Sequence, residues 1–532
     1  MAVLGAADIV TISVVGLLLR LLYSYILYPA FLSPLSKIPA GHWTAHLSPA
    51  WILYIRRTNQ ENETILRLHR EKGKVVRLGP SELSVNDYAE GLKKIYMGGF
   101  HKNEFYQNRF TNYETRNMFT MMDSKEHSER KRMLSNVYSK SYVLASPTTR
   151  ATTEVILFER YLPLLQESSD KGSSIEMLEL DYAYSMDAFM AYQFGRTWGS
   201  NFIQDVQKRK WYLDHFFRRR PYLFFITETP RLIKRLCKVG INLVPRWVDD
   251  ATTALESWNL ALCDGAENLL SAGKEIPAVD YPVIYAQERA ALRKTYPDKA
   301  RLYTPRTDQT YPFRYEIASD MYDHNAAAHE TSGDTLTYVH YEMARHPDLQ
   351  RRLREELLRL DPPILYPAPD PHQIQLPDFK AVDSLPLLDA ILQETLRLWV
   401  AVPGGQPRLT PSPTCSIGGF DNIPPNTKVQ CYAYALHQNP EIYPDPQAWK
   451  PERWLDATPE KLADMRRWFW AFGSGGRMCI GNNIAIHSMK MAIAATYTNF
   501  TSHIVEHGDM TLVDGFTAGP KGNRLNLRFE HI

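Results

Sequence analysis

The chain is poor in cysteine and carries almost no excess charge of either sign. Its five cysteines lie at Cys237, Cys263, Cys415, Cys431 and Cys479. Their number is odd and their spacing forms neither a disulfide framework nor a zinc module, which favours a reducing compartment. The formal net charge of +2 excludes a strong overall attraction to nucleic acid. We therefore expect no nucleic-acid partner.

One long apolar run lies near the N-terminus, from Ile9 to Phe31. A helix of that length spans ~34 Å, enough to cross a bilayer. Arg20 is costly in mid-span, although a long side chain can reach the interface. A cleaved signal peptide is the alternative, but residues 1–8 hold no Lys or Arg and no clear small-x-small site follows. The run predicts an uncleaved, single-pass anchor.

The charges that flank this run predict its orientation. Lys37, Arg56 and Arg57 follow the run, whereas Asp8 precedes it. Positive residues stay on the cytoplasmic side of a membrane. The sequence therefore predicts that the bulk of the chain faces the cytosol.

The segment Phe472–Gly481 has the spacing F-x-x-G-x-R-x-C-x-G. From average residue usage, five fixed positions coincide by chance in a chain of this length about once in ten thousand. The residues after Cys479 show helical apolar spacing, so we expect Cys479 at a helix N-terminus. The positive end of the helix dipole and nearby N–H groups favour a thiolate there. The alternative is a Gly-rich turn with an inert cysteine.

This segment resembles the haem-binding loop of the cytochrome P-450 family, the haem-thiolate monooxygenases. The resemblance implies that Cys479 is the axial ligand of the iron in haem b, iron protoporphyrin IX. Arg477 would hold a haem propionate with its fork of donors. Phe472 would cover the sulfur side and exclude water, and Gly475 would let backbone N–H groups approach the sulfur.

Two upstream elements follow the order found in that family. Glu394-Thr395-Leu396-Arg397 is similar to its E-x-x-R helix, and Pro451-Glu452-Arg453-Trp454 to its P-E-R-F/W element. Residues three apart share a helix face and can pair. The resemblance implies a structural cluster of Glu394, Arg397 and Arg453. Taken alone, a Glu–Arg pair of this kind is commonplace on solvated helices.

The alanine-rich stretch Asn325–Ser332 resembles the family's oxygen-activation motif, [AG]-G-x-[DE]-T. Small side chains such as Ala327 let a helix pass close over the haem. Thr331 would then hydrogen-bond to dioxygen, and Glu330 would connect the site to solvent protons. The chain departs from the motif at Ala328, where glycine is usual. The alternative is an ordinary helix with Glu330 exposed.

The resemblance also implies further propionate-binding residues. His127 and Lys131 match a family helix in which an aromatic or histidine and a basic residue four positions later hold propionates, with Arg132 as a competitor. Arg408 follows the turn-rich Pro403–Pro407 and matches another basic position of the family. Each of these residues could instead be a solvated surface charge.

The motifs run from about residue 127 to 481 and must meet at one cofactor, so one large domain is expected. The predicted division is an anchor at 1–33, a proline-containing hinge at 34–45 and a catalytic domain at 46–532. The predicted fold is mainly α with small β-sheets, the cytochrome P-450 fold preceded by a single transmembrane helix. A hairpin is predicted at Lys74–Val85, and an extended connector at Asp361–Pro377.

Aromatic residues surround a basic run between Trp211 and Phe225. The family has its substrate lid in this region. Such a composition suits a membrane interface through which a lipophilic substrate enters. The alternative is a core helix followed by a charged turn. We expect substrate choice to depend on the loop 100–119, the lid at 201–250 and the turn 400–405.

The predicted function is that of a membrane-anchored monooxygenase that oxidises a lipophilic small molecule with dioxygen. Electrons would come from NADPH through a separate diflavin reductase, with cytochrome b5 as a second donor. Segments 117–123 and 135–142 resemble filamentous-fungal members, which points to natural-product biosynthesis at the endoplasmic reticulum membrane. The alternatives are an isomerase or phenol-coupling enzyme with the same haem, and a non-catalytic haem sensor.

Overall fold

The computed structural model describes residues 5–370 and 373–532. Residues 1–4 of the predicted anchor, and Pro371 and His372 of the predicted connector, lie outside the described residues. The chain folds into two compact units. The first comprises Met1–Asn103, Pro403–Leu436 and Asp514–Phe516, and the second comprises Glu104–Val402, His437–Val513 and Thr517–Ile532.

The described part of the chain is mainly helical, with small sheets, as the sequence predicts. The α-helices are α1 (Ala6–Leu22), α2 (Ala50–Arg57), α3 (Glu61–Lys72), α4 (Phe105–Phe110), α5 (Ser124–Leu134), α6 (Lys140–Ala145), α7 (Pro147–Glu154), α8 (Leu162–Asp170), α9 (Met177–Phe194), α10 (Val206–Phe217), α11 (Arg220–Glu228), α12 (Pro230–Lys238), α13 (Arg246–Ser271), α14 (Val283–Thr295), α15 (Arg314–Arg345), α16 (Pro347–Leu357), α17 (Phe379–Asp383), α18 (Pro386–Leu398), α19 (Ala433–His437), α20 (Glu452–Leu455), α21 (Pro459–Trp468) and α22 (Asn482–Asn499). Wider π-helical segments occur at Tyr23–Leu32, Tyr88–Met97 and Val155–Tyr161. Short 3₁₀ turns occur at Pro34–Lys37, Trp43–His46, Ala278–Asp280 and Gly475–Arg477.

The strands are short and form three sheets. They are β1 (Val75–Gly79), β2 (Glu82–Val85), β3 (His101–Lys102), β4 (Ser174–Glu176), β5 (Arg408–Leu409), β6 (Cys415–Ile417), β7 (Phe420–Ile423), β8 (Lys428–Gln430), β9 (Phe500–His507) and β10 (Leu525–His531). The first unit holds the sheet β1-β2-β8-β5-β3 and the pair β6-β7, and the second holds β4-β10-β9. Strands β1 and β2 pair antiparallel with Val75 opposite Val85, which confirms the predicted hairpin.

The second unit is built around α15 and α9. Helix α9 is buried on nearly every side, as expected for a helix that is apolar around most of its circumference. Helix α15 has 32 residues, most of them buried, and it packs against α9, α13, α18 and α22. This packing places the helix that carries Glu330 and Thr331 against the helix that follows Cys479.

Helix α1 continues directly into the π-helical segment Tyr23–Leu32. Among the described residues, one helix is long and apolar enough to span a membrane, at Val10–Leu32, and none of that span is buried within the chain. Its limits agree with the predicted run from Ile9 to Phe31 to within a residue. The first unit therefore begins with a candidate membrane anchor.

Candidate functional site

The loop that carries Cys479 joins α21 to α22 and is closed by its own backbone. The Cys479 N–H donates to the Phe472 carbonyl at 2.9 Å, and the Met478 N–H donates to the Gly475 carbonyl at 3.1 Å. Gly473 and Gly475 have φ angles of 70° and 67°, in the left-handed region that disfavours a side chain. The glycines thus let the chain turn back under the cysteine.

The Cys479 side chain is accessible to solvent, although protein atoms surround the sulfur. Shielding from bulk water raises the pKa of the Cys479 thiol, whereas the N–H groups of Gly481 and Asn482 and the charge of Lys131 act to lower it. The two N–H groups belong to the start of α22, which begins at Asn482. The structure therefore places the sulfur at the N-terminus of a helix, where partial positive charge favours a thiolate.

Of the predicted propionate-binding residues, Arg477 belongs to this loop and Lys131 lies beside it. Lys131 of α5 donates to the carbonyls of Gly476 and Met478 at 3.0 and 2.7 Å. Arg477 donates to three successive carbonyls, those of Met121, Met122 and Asp123, at 2.6 to 3.0 Å. These contacts hold the loop against α5 and the segment before it. The proposed binding of propionates by Lys131 and Arg477 stays a prediction.

The other basic candidates have different surroundings. His127 lies one turn before Lys131 on α5 and is buried, whereas Arg132 is exposed. Arg408 belongs to the first unit, where it is buried at the start of β5 and lies over the Tyr96 ring at 4.8 Å. The roles predicted for His127 and Arg408 stay predictions.

Glu330 and Thr331 lie near the middle of α15. Glu330 is buried and forms an ion pair with Arg220 of α11, which excludes the alternative of an exposed acid. Burial acts to raise the pKa of Glu330, but the Arg220 charge and a hydrogen bond from Thr517 hold it below its ordinary value. Thr331 is half-buried, and its hydroxyl donates to the Ala327 carbonyl at 2.9 Å.

Glu394, Arg397 and Arg453 come together in the second unit. Glu394 and Arg397 of α18 are fully buried and pair at 2.7 Å. Arg453 of α20 donates its Nε–H to the same Glu394 at 3.0 Å. The three side chains thus join α18 to α20, as expected of residues with a structural role.

Sequence reasoning missed several partners of these residues. The charge on Arg220 and the hydroxyl of Thr517 both reach Glu330, yet they lie more than a hundred residues away on either side. The sequence does indicate that Asp334, one turn after Glu330, lies near it, because residues four apart share a helix face. No local pattern could pair Asp334 with Tyr182 of α9, which donates to it at 2.6 Å.

In the predicted lid, aromatic side chains of α10 pack against α15. In α10, Tyr212 is fully buried, and the rings of Tyr212 and Phe216 lie 5.1 and 4.6 Å from the ring of His329 on α15. On this side α10 packs as the alternative of a core helix predicts, and Tyr212 is its one buried residue. The basic residues follow it, at the turn into α11.

The side chains around Cys479 suit a cofactor that brings its own metal. Among the described residues, no three His, Cys, Asp or Glu side chains converge as they would to hold a bare metal ion. Cys479 offers a single exposed sulfur, a soft ligand for iron. Lys131 and Arg477 supply positive charge beside it. These residues fit a haem with one thiolate ligand.

Comparison with known proteins agrees with this geometry. The cytochrome P450 family model matches residues 50–527. Cytochrome P450 monooxygenase hkm5 of Aspergillus hancockii is 25% identical over 513 residues, which cover 92% of this chain and 90% of that protein. Pisatin demethylase of Fusarium vanettenii is 26% identical over 501 residues, with coverage of 92% and 88%. Tryprostatin B 6-hydroxylase of Neosartorya fischeri is 26% identical over 500 residues, with coverage of 92% and 81%.

A mainly helical fold with an exposed cysteine at the head of α22 defines the haem-thiolate class of monooxygenases. The match to the family model extends over both units. The chain belongs to the cytochrome P450 family, and it is a monooxygenase.

Proposed function

We propose that this protein is a membrane-anchored monooxygenase that hydroxylates or otherwise oxidises a lipophilic small molecule in fungal secondary metabolism. Dioxygen is the oxidant and NADPH supplies the electrons. The observation that carries the proposal is the Cys479 sulfur at the start of α22, with two backbone N–H groups and the Lys131 charge directed at it. That arrangement is what an anionic sulfur ligand requires.

The proposed cofactor is haem b. Bound haem supplies the electron transfer and dioxygen chemistry that no side chain can perform. Cys479 is the proposed iron ligand, and Phe472 and Gly475 shape the loop around it. His127, Lys131, Arg408 and Arg477 are the proposed propionate partners.

The proposed catalytic side chains are Glu330 and Thr331. The Thr331 hydroxyl presents an oxygen that both donates and accepts hydrogen bonds. Glu330 is the acid beside it and carries the negative charge that draws protons to this part of α15. Ala327 would leave room for a cofactor beside this helix, whereas the methyl group of Ala328 narrows the space where the family has glycine. This pair also supports a monooxygenase over an isomerase, which needs no proton supply of this kind.

The proposed domain order is an anchor at 1–33, a hinge at 34–45 and a catalytic domain at 46–532. The Val10–Leu32 helix would cross the endoplasmic reticulum membrane once and leave the catalytic domain in the cytosol. A diflavin reductase in the same membrane is the proposed electron donor, with cytochrome b5 as a second.

The names of the relatives support the proposed class of substrate. One is a demethylase of pisatin and another a hydroxylase of tryprostatin B. We propose that this chain acts on a lipophilic compound of the same general kind.

The test is replacement of Cys479 by alanine in the full chain. We expect the Cys479→Ala protein to lose its haem and the carbon-monoxide absorption band of a thiolate-bound haem, because no other sulfur supplies that ligand. Cys237→Ala is the matched control, because Cys237 is the other exposed cysteine and should leave the band unchanged. A Cys479→Ala protein that retains the wild-type band would refute the proposal.

A further inference from the structure

A second buried acid lies one turn beyond Glu330 on α15. Asp334 is fully buried, and its Oδ1 accepts a hydrogen bond from the Tyr182 hydroxyl of α9 at 2.6 Å. Its Oδ2 is buried too and makes no hydrogen bond with any described residue. An ionised carboxylate in such a place loses the solvation of one oxygen outright. The surroundings therefore favour a protonated Asp334.

The chain from Thr517 to Gly519 lies against both acids. Thr517 donates a hydrogen bond to Glu330. At Gly519, the Cβ of any side chain would collide with the Asp334 Oδ1, so the backbone there covers Asp334 directly. Both carboxyl groups are thus buried on the same face of α15, beside this segment.

The charged and titratable groups that face Asp334 come from three elements. They are Glu330 and Tyr338 of α15, Asp181 and Tyr182 of α9, and Arg220 of α11. Burial and, after it, the negative charge of Glu330 raise the pKa of Asp334 to about 7, against the opposing effects of the Tyr182 hydroxyl and the Arg220 charge. Tyr182 stays neutral, because burial and the adjacent carboxyl raise its own pKa. Glu330, by contrast, is held ionised by Arg220.

We propose that Asp334 holds a proton in the resting protein and passes it to Glu330 during turnover, so that the two acids together carry one mobile proton. This inference rests on the proposed function of Glu330 and Thr331. In the transfer, the O–H bond of Asp334 breaks, an O–H bond forms on Glu330, and the negative charge moves from Glu330 to Asp334. No electrons are exchanged, and solvent water later returns a proton to Asp334.

Asp334 touches no reacting atom in this scheme and acts through Glu330. Asp334 is therefore a positioning residue, which holds the proton where Glu330 can receive it. Glu330 alone is a poor proton donor because its ion pair with Arg220 stabilises the charged form. Asp334 is a neighbour of Glu330 on the helix, four residues later, and supplies the proton that Glu330 lacks. The Tyr182 hydroxyl then stabilises the Asp334 carboxylate that forms.

The experiment combines infrared spectroscopy with turnover in the full chain. Infrared spectra need no substrate and report the stretching band of a protonated carboxyl group directly. We expect part of that band to disappear in the wild type as the pH rises through about 7. Asp334→Asn should lack this component. Tyr182→Phe should lose it at higher pH, because the Tyr182 hydrogen bond lowers the pKa of Asp334.

Turnover is measured as hydrogen peroxide released per NADPH consumed, with a diflavin reductase and dioxygen. Peroxide release should rise above about pH 7 in the wild type. In Asp334→Asn it should be high at every pH, with coupled turnover reduced roughly 100-fold, the lower end of the range for positioned acids. Glu256→Gln is the matched control and should leave peroxide release unchanged, since Glu256 of α13 is an acid whose pKa burial also raises and Asp334 is not among the groups that act on it.

A merely structural role makes the opposite prediction at low pH. Asparagine keeps the Tyr182 hydrogen bond and imitates a neutral acid, so unchanged peroxide release at pH 6 would overturn the inference. Should Asp334→Asn fail to fold, the Tyr182→Phe titration decides, and an unshifted transition would also overturn it. A wild-type protein without the thiolate carbon-monoxide band would instead refute the proposed function, whatever the infrared spectra show.

Discussion

Glu394 accepts more hydrogen bonds than its sequence pattern suggests. Both Nε–H and Nη2–H of Arg397 donate to it, at 2.9 and 2.7 Å. Arg453, the indole of Trp454 and the backbone N–H of Lys450 add three more, at 2.9 to 3.0 Å. Both oxygens of this buried carboxylate therefore accept more than one hydrogen bond. A buried charge is tolerated when it is paired and hydrogen-bonded in this way.

We predict that Glu394→Gln destabilises the protein by roughly 3 to 5 kcal/mol, since it leaves two buried guanidinium groups without their charge partner. Thermal unfolding followed by haem release will measure the loss. Glu452→Gln is the matched control, because Glu452 pairs with Arg352 at 2.7 Å with both side chains more than 40% exposed. That change should cost under about 1 kcal/mol. Equal losses in the two variants would contradict the prediction.

The cysteine loop is tied to α18 by one histidine. His437 donates Nδ1–H to the Arg397 carbonyl at 2.9 Å, and its Nε2 accepts the Trp470 N–H at 2.8 Å. These two partners assign the neutral tautomer with the proton on Nδ1. Burial and the Arg397 charge lower the pKa of His437 to about 3. Protonation would place a hydrogen where Trp470 donates and would loosen the start of the loop.

The sign of the pH dependence follows from that shift. The unfolded chain protonates His437 below its ordinary pKa, whereas the folded protein does not until about pH 3. Its contribution to stability is therefore present above about pH 6.5 and is lost as the pH falls.

Between pH 6.5 and pH 5, we predict that the wild type loses about 1.6 kcal/mol of its free energy of unfolding through His437 and that His437→Gln does not. Urea unfolding at each pH, followed by tryptophan fluorescence, will measure the difference. His503→Gln is the control, at a side chain that is 45% exposed. A wild-type pH dependence that persists in His437→Gln would show that this histidine does not hold the loop.

The N-terminal helix makes few contacts with the rest of its unit. Its span from Val10 to Leu32 buries nothing within the chain. The exception lies near its end, where the buried Arg77 donates to the Pro29 carbonyl at 3.0 Å. Arg77 also donates to the carbonyls of Gly79 and Pro80. Residues up to Tyr28 can therefore be removed without breaking this hydrogen bond, whereas removal of Pro29 breaks it.

We predict that deletion of residues 2–28 releases the protein from membranes and leaves its carbon-monoxide band intact. Flotation with vesicles and the absorption spectrum will measure both properties. Deletion of residues 2–33 should release it equally but lower its stability by roughly 1.5 to 3 kcal/mol, because Arg77 then loses one carbonyl partner. A shorter protein that stays bound to vesicles would show that another surface holds the membrane.

The motif residues were predictable because each carries its chemistry locally. The spacing around Cys479, the Glu394–Arg397 pair and the Glu330–Thr331 pair can all be read within ten residues. The inward packing of α10 could not, because aromatic residues beside a basic run suit both a core helix and a membrane interface. The ring of His329 on α15 decides between them, and it lies more than a hundred residues away.

Local sequence patterns were enough to predict the family, the helix-rich fold class, the membrane-length helix and Cys479 as the cysteine of the haem-binding motif. These depend on periodicity and on short motifs, which act over a few residues. The folded contacts were needed to show that Arg220 pairs with Glu330, that Tyr182 donates to Asp334 and that His437 accepts the Trp470 N–H. A buried charge or hydrogen bond depends on the partners that folding brings together, and no local pattern encodes which distant side chain will arrive.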